Sequence, residues 1–315
     1  MDTRRRLLAA AGGAALLFLV VQLGALALVG PFADAGYRAV EDPADPTNSL
    51  VYLGAVLVMT GFILAVVRLG AERVLRAVVL LMSALLAWYV FSVAVPPVLG
   101  PGLGRAVALG LAVLVGAALF VHPEWYVIDA AGVVIGAGGA GLFGISFGPL
   151  PALLLLVALA GYDALAVYRT EHMLTLAESV TELKLPLVLV VPLSADYSFR
   201  AAEAVGSREG EEPGEREAFF IGLGDTVIPT VLVASAAVFL DAPTVAVAGL
   251  AANLPALAAL LGTHVGLAGL LAMVARGRAH AGLPLLKGGA IAGYLLGALA
   301  AGVPLVEALG LAPYL

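Results

Sequence analysis

Apolar stretches of helix-spanning length alternate with short polar breaks along nearly the whole chain, and these breaks define the elements. Apolar runs cover residues 1–30, about 50–67, 74–95, 102–121, 125–145, 152–167, 219–239, 244–275 and 284–301. A helix needs about 20 apolar residues to cross a bilayer, so the pattern predicts nine transmembrane helices. The first run opens with Arg4-Arg5-Arg6 like a signal peptide, but it outlasts the 7–15 apolar residues of such a segment and reads as the first span. Arg68, Arg73 and Arg76 mark a short basic turn between the second and third spans. Pro96-Pro97 stops the third, because proline cannot continue the backbone ladder. Trp125-Tyr126 anchors the fifth span at an interface, and its Gly136–Gly144 run predicts close helix packing. Pro149-Leu150-Pro151 reads as a tight turn into the sixth. Asp241, two residues before Pro243, reads as an N-cap entering the eighth span, whose length calls for a tilt or a break at Gly262.

Residues 170–217 differ in kind, being rich in Glu and interrupted by Pro and Gly. In 171–184 the apolar residues Met173, Leu174, Leu176, Ala177, Val180 and Leu183 recur at helical spacing, which predicts an amphipathic extension of the sixth span. Leu185–Leu193 is too short to span and rich in Val, hence a strand. Ser207–Glu217 has the composition of a disordered linker. The chain therefore divides into helices one to six (1–168), a solvated loop (169–217) and helices seven to nine (218–315).

Composition agrees with this division. Only 12% of the 315 residues are charged, about half the share in a soluble domain, and the mean hydropathy is +1.06. The fold class is an all-α polytopic membrane protein. The absence of Cys excludes disulfides, thiolate metal sites and cysteine nucleophiles. The four His residues form no His-Glu-x-x-His pair, so no zinc-protease site is expected. A net charge of −6 excludes a nucleic-acid footprint. With the N-terminus inside, the inner segments collect Arg4, Arg5, Arg6, Arg68, Arg73, Arg76, Arg169, Lys184, Arg200, Arg208, Arg216, Arg276, Arg278 and Lys287, leaving Arg38 and Arg105 of the 16 basic residues elsewhere. The positive-inside rule then puts the N-terminus and loop 169–217 in the cytoplasm and the C-terminus outside.

Against this apolar frame, Asp225 is the one charge within 218–240, and Asp163 lies near the end of the preceding span. A carboxylate in hydrocarbon costs about 2.5–3.5 kcal/mol even on the lenient insertion scale, which makes each a candidate functional residue. At 1.5 Å per residue, Asp163 lies roughly 7–8 Å from the inner end of its helix and Asp225 roughly 9–11 Å from the inner start of the next. The two carboxylates thus share one depth. Close together in low dielectric they cannot both ionise and would share a proton, a pair suited to acting as base on water and acid on a peptide carbonyl without metal or cofactor. Gly222 and Gly224 would let another backbone approach beside Asp225. Paired intramembrane carboxylates also carry ions, so a proton- or cation-coupled transporter or channel is the alternative; an inactive scaffold that binds transmembrane helices is a further one. Asp129 reads as a capping, helix-pairing or interface-solvated group, His264 and Asn253 as interhelical hydrogen-bonders, and Glu307 as solvated. Taken alone, Tyr162 is an interface aromatic.

Tyr162-Asp163 in one span and Gly222-Leu223-Gly224-Asp225 in the next resemble the motifs of the presenilin and signal peptide peptidase family of intramembrane aspartyl proteases. Nine spans with a large loop between the motifs extend the resemblance over nearly the whole chain. It implies an endopeptidase that hydrolyses peptide bonds within transmembrane segments of membrane-protein substrates, with Asp163 and Asp225 as the catalytic pair and no cofactor. Tyr162, Gly222, Leu223 and Gly224 would shape the site. The family's third motif, Pro-Ala-Leu, is replaced here by Ala281-Gly282-Leu283-Pro284; Gly282, Leu283 and Pro284 would border a bound substrate strand. Leu185–Leu193 would add another strand beside it. Pro151-Ala152-Leu153 and Pro255-Ala256-Leu257 spell the triplet at the wrong places. Prepilin-type peptidases share Gly-x-Gly-Asp, but Tyr162 and the residues before the last span favour the presenilin type. The orientation resembles presenilin rather than signal peptide peptidase, and the short, Arg-rich chain resembles a prokaryotic, archaeal homologue. The partners implied are substrate transmembrane segments and the bilayer; whether the protein forms a homo-oligomer is left open.

Overall fold

The computed structural model describes residues 3–169, 187–194, 196–201, 218–247, 249–274 and 283–315. The amphipathic extension and the acidic linker expected within 171–184 and 207–217 lie outside these residues, as does Gly282. The helices are α1 (Thr3–Asp34), α2 (Thr47–Arg68), α3 (Glu72–Ala94), the one-turn α4 (Pro96–Leu99), α5 (Pro101–Val121), α6 (Trp125–Ser146), α7 (Pro149–Arg169), α8 (Leu223–Phe239), α9 (Leu254–Val274), α10 (Leu283–Ala300) and the one-turn α11 (Leu305–Ala308). Two antiparallel hairpins interrupt them, β1 (Val188–Pro192) with β2 (Ala218–Gly222), and β3 (Thr244–Val247) with β4 (Leu250–Asn253). Among the described residues, six helices are long and apolar enough to cross a membrane: α1, α2, α3, α5, α6 and α9. Three apolar segments are shorter, Pro149–Asp163, Leu223–Phe239 and Pro284–Ala300.

The central helix is α6, 72% of whose apolar window is buried, against 6% for α2 at the periphery. Its glycines make this possible. A Cβ on Gly144 would collide with Ala234 of α8, one on Gly138 would lie 2.5 Å from Val90 of α3, and one on Gly141 would lie 3.1 Å from the Phe32 ring of α1. In lipid, where burial against a neighbour brings no hydrophobic gain over the acyl chains, such close backbone approach is what holds helices together. The predicted Gly136–Gly144 packing face is thus observed. The helices α9 and α10 meet in the same way: Cβ atoms on Gly262 and Gly266 would land on the Gly289 and Leu285 carbonyls, and one on Gly293 on that of Ala258.

Several boundaries depart from the sequence reading. Residues 218–222 form a strand and not the start of a helix, since Phe219, Phe220 and Ile221 fit a pleated surface. Thr244–Val247 and Leu250–Asn253 are paired strands, with Gly249 at φ +81° just before the second, so Asp241 caps no helix there and α9 starts only at Leu254. Gly262 is a helix contact rather than a break. Pro149-Leu150-Pro151 opens α7 directly, because proline is tolerated in a first helical turn. As expected, α3 stops at Ala94 just before Pro96-Pro97, and the two prolines then open the one-turn α4.

Polar side chains tie the ends. Asn253 donates to the Ala236 and Leu240 carbonyls at 2.7 and 2.9 Å and accepts the Ala256 N–H at 3.0 Å, closing α8 and opening α9 at once. His264 on α9 reaches the Ala15 carbonyl of α1 at 3.2 Å, the interhelical role expected of it. Ser49 donates to the Pro151 carbonyl at 2.7 Å, joining α2 to α7. Glu307 is exposed, as expected.

Candidate active site

Asp163 projects from α7, Asp225 from the start of α8, and Lys287 from α10; these three helices pack on one another. Asp163 is 8% exposed and Lys287 3%, and the Lys287 Nζ bonds and ion-pairs with Asp163 Oδ2. Asp225 lies within electrostatic reach of both. The two aspartates singled out from the sequence therefore face one site, Asp163 buried and Asp225 half-buried, with a lysine between the helices.

Local structure fixes Asp225. It is the third residue of α8, not the sixth or seventh as a helix over 219–239 would make it. There its carboxylate accepts the Gly222 N–H, one of the donors left open at a helix start. A Cβ on Gly222 would sit 3.0 Å from Asp225 Oδ2, so glycine leaves the room that this carboxylate occupies. Four residues on, Pro229 has no N–H to give the Asp225 carbonyl, which loosens the ladder at this residue.

The floor beneath is built on α6. Asp129 Oδ1 accepts the Val190 N–H of β1 at 2.7 Å. Cβ atoms on Gly132 and Gly136 would meet Leu189 Cδ2 at 2.8 Å and Leu223 Cδ1 at 3.3 Å, respectively. Farther along, Glu124 accepts from the Ser198 hydroxyl (2.8 Å) and the Phe199 N–H (3.0 Å), fastening the chain after β1. The strand foreseen in Leu185–Leu193 is present as β1, but its partner is β2, with Val188 opposite Gly222 and Val191 opposite Phe219. The Leu223 N–H donates to the Leu187 carbonyl at 2.8 Å. Antiparallel pairs alternate between bonded and non-bonded. Val190 and Phe220 therefore direct their backbone polar groups away from each other, Val190 toward Asp129 and Phe220 toward the opposite edge of β2. Among the described residues no strand pairs with that edge.

The other sequence candidates fall around this site. Leu223 is buried against α6, so its role is to seat β2 and α8. Gly224 is exposed, and a Cβ there would meet nothing within 4 Å. Tyr162 is 40% exposed, turned outward beside Asp163. Leu283 and Pro284 open α10, one turn before Lys287. Sequence reasoning missed Lys287, counting it with the cytoplasmic basic residues. The signal was there: it is the one charge in 283–301, an intramembrane ionisable group of the kind that marks a site by default. No group of His, Asp or Glu among the described residues is arranged to hold a metal ion.

The family model described as "Signal-peptide peptidase, presenilin aspartyl protease" matches residues 15–303. The chain belongs to that family. Its structure is similar to a presenilin-family intramembrane aspartate protease solved in the C222 space group, with TM-score 0.68 and 38% identity over 92% of this chain and 99% of the other. The P2 crystal form of such a protease matches at TM-score 0.66 and 38% identity, over 92% and 97% of the two chains. No curated protein sequence matches the chain. These likenesses make this presenilin-family member a multi-pass intramembrane aspartyl protease and set aside the transporter reading.

Proposed function

We propose that Asp163 and Asp225 are the catalytic dyad and that the substrate is a transmembrane segment, unwound and added as a strand to the outer edge of β2. The observation that carries this is the placement of the two carboxylates, the buried Asp163 and the half-buried Asp225, on packed helices within electrostatic reach of each other. The ionised carboxylate takes a proton from water as the water oxygen attacks the peptide carbonyl carbon. The protonated one gives its proton to the carbonyl oxygen, forming a gem-diol. Collapse breaks the C–N bond as a proton passes to nitrogen, releasing an amine and a carboxylic acid. A peptide bond inside a helix is shielded by its own ladder, and non-helical backbone at membrane depth is tolerated only when it is buried in protein or lines a hydrated cavity. The outer edge of β2 supplies the polar partners for such a backbone, in the way that strand addition binds extended peptides, and it runs directly into the turn bearing Asp225. β1 is one strand removed from this edge, its far side taken by Asp129, so the substrate's neighbour is β2 rather than Leu185–Leu193.

Tyr162, Gly224, Gly282, Leu283 and Pro284 are proposed to border the bound segment, while Gly222 and Leu223 fix the geometry. The N-terminus and loop 169–217 are proposed to be cytoplasmic and the C-terminus outside, a reading supported by the distribution of Arg.

The test is cleavage of a model transmembrane peptide in detergent by the purified protein, Asp163→Ala and Asp225→Ala. Each substitution is expected to lower kcat by at least roughly 10²–10⁴-fold, the range that positioned acid–base groups contribute. A variant that still cuts removes that aspartate from the dyad.

A further inference from the structure

We infer that Lys287 is a positioning residue of the dyad, whose ammonium, paired with Asp163, keeps that carboxylate ionised and leaves the shared proton on Asp225. The inference rests on the assignment of Asp163 and Asp225 as the dyad. Lys287 has no local reason to be where it is. It lies one turn into α10 in an otherwise apolar segment, and its side chain is 3% exposed. A lysine on a surface would extend its stem and keep its charge in water; this one is turned inward, and its described partner is Asp163. An ammonium near the start of a helix also opposes the helix dipole, so what holds it there is the carboxylate.

Charge counting gives the pairing its consequence. Acid–base hydrolysis by two carboxylates needs the dyad with one proton, hence one negative charge. In a buried site that charge is costly unless balanced. With Lys287 present, the singly protonated dyad plus the ammonium is electroneutral, whereas the doubly protonated and fully ionised forms both leave a net buried charge. The ion pair is asymmetric as well: Lys287 bonds Asp163 directly but reaches Asp225 only through space, and the single Gly222 N–H that Asp225 accepts stabilises a negative charge less than a bonded ammonium does. Asp163 is thereby placed as the base that takes the proton from water, and Asp225 as the acid that protonates the carbonyl oxygen.

The described titratable groups on the neighbouring helices do not compete. On α9, His264 has its ring nitrogens against the Leu260 and Ala15 carbonyls, one of which its N–H reaches in the neutral form. On α10 itself, Tyr294 donates to the Ala308 carbonyl at 2.5 Å, and Glu307 of α11 is exposed beyond the far end of α10. On α7, Tyr162 is turned outward, α8 carries no charge besides Asp225, and on α6, which packs against α8, Asp129 is engaged by the Val190 N–H of β1.

The experiment measures peptide cleavage against pH for the parent, Lys287→Met, Lys287→Gln and Lys287→Arg, with Asp163→Asn and Asp225→Asn as controls and thermal unfolding recorded for each. The neutral variants are expected to keep KM within about threefold, while both limbs of the bell-shaped kcat profile move to higher pH by about one to three units, the effect of removing an opposite charge within about 4–6 Å. Lys287→Arg is expected to restore the parent limbs. Limbs that stay in place in both neutral variants, with only kcat or the unfolding temperature lowered, overturn the inference and leave Lys287 a structural ion pair. Where Lys287→Met does not fold, Lys287→Gln carries the same comparison. Activity surviving in either asparagine variant shows instead that the dyad assignment has failed, and the inference falls with it.

Discussion

Asp225 depends on what its neighbour lacks. Because a Cβ on Gly222 would sit 3.0 Å from Asp225 Oδ2, Gly222→Ala must push the carboxylate aside. The shift required is a few tenths of an ångström; since a misplacement of about 1 Å costs on the order of 10²-fold in rate, kcat for peptide cleavage is expected to fall by up to about tenfold while helical circular dichroism is unchanged. Gly224→Ala meets open space and is expected to leave the unfolding temperature within about 1 °C; its cost, if a substrate strand passes there, is read in KM. At this scale the sequence was legible for the carboxylates, since charges in an apolar run have few innocent explanations. Lys287 was legible by the same rule and was missed because a lysine near a span end is usually counted with a loop. The Gly222 constraint needed coordinates: sequence shows a small residue, not which atom fills the space beside it.

Among the elements, β1 is the one whose placement decides the site, and Asp129 holds it. In Asp129→Ala the buried Val190 N–H loses its acceptor, which costs about 1–3 kcal/mol. Hydrogen exchange at Val190 is expected to quicken in that variant, and Asp129→Asn, whose side-chain oxygen can still accept, is expected to exchange at nearly the parent rate. The helices α9 and α10 give a second prediction. Gly262→Val puts a branched side chain where the Gly289 carbonyl lies, and overpacking of this kind costs about 1–3 kcal/mol or more. Because α10 carries Lys287, cleavage is expected to fall along with the unfolding temperature, although residue 262 touches neither aspartate. Element type was read well where an apolar run was long. It was misread at 218–222 and 244–253, where short β-branched and aromatic stretches lie next to true spans, and hydropathy alone does not separate a strand from a helix start.

For the whole molecule, the predominantly helical membrane fold and the family could be recovered from the chain, because spacing of apolar runs and two motifs survive without coordinates. What could not be recovered is how deep each group sits: the sequence reading put Asp225 well inside a helix, whereas it caps one, with a strand leading up to it. Sidedness remains open to direct measurement, and the absence of Cys makes it simple. Single cysteines introduced at Ser207 and at Leu315 are expected to react with a membrane-impermeant maleimide from opposite sides of sealed vesicles, Ser207 from the cytoplasmic side. Labelling of both from one side would reverse or break the proposed orientation.

The seam between α9 and α10 is made of carbonyl oxygens set against α-carbons, at Gly262, Gly266, Gly289 and Gly293. Contacts of this type are short-ranged weak hydrogen bonds and have no rotamers. An interface lined with leucines can absorb a shift by repacking its side chains, a little at a time; this one cannot. The two helices therefore behave as a single rigid girder, either docked or parted. Lys287 rides on that girder, so a disturbance along the seam is passed on to the positive charge beside Asp163.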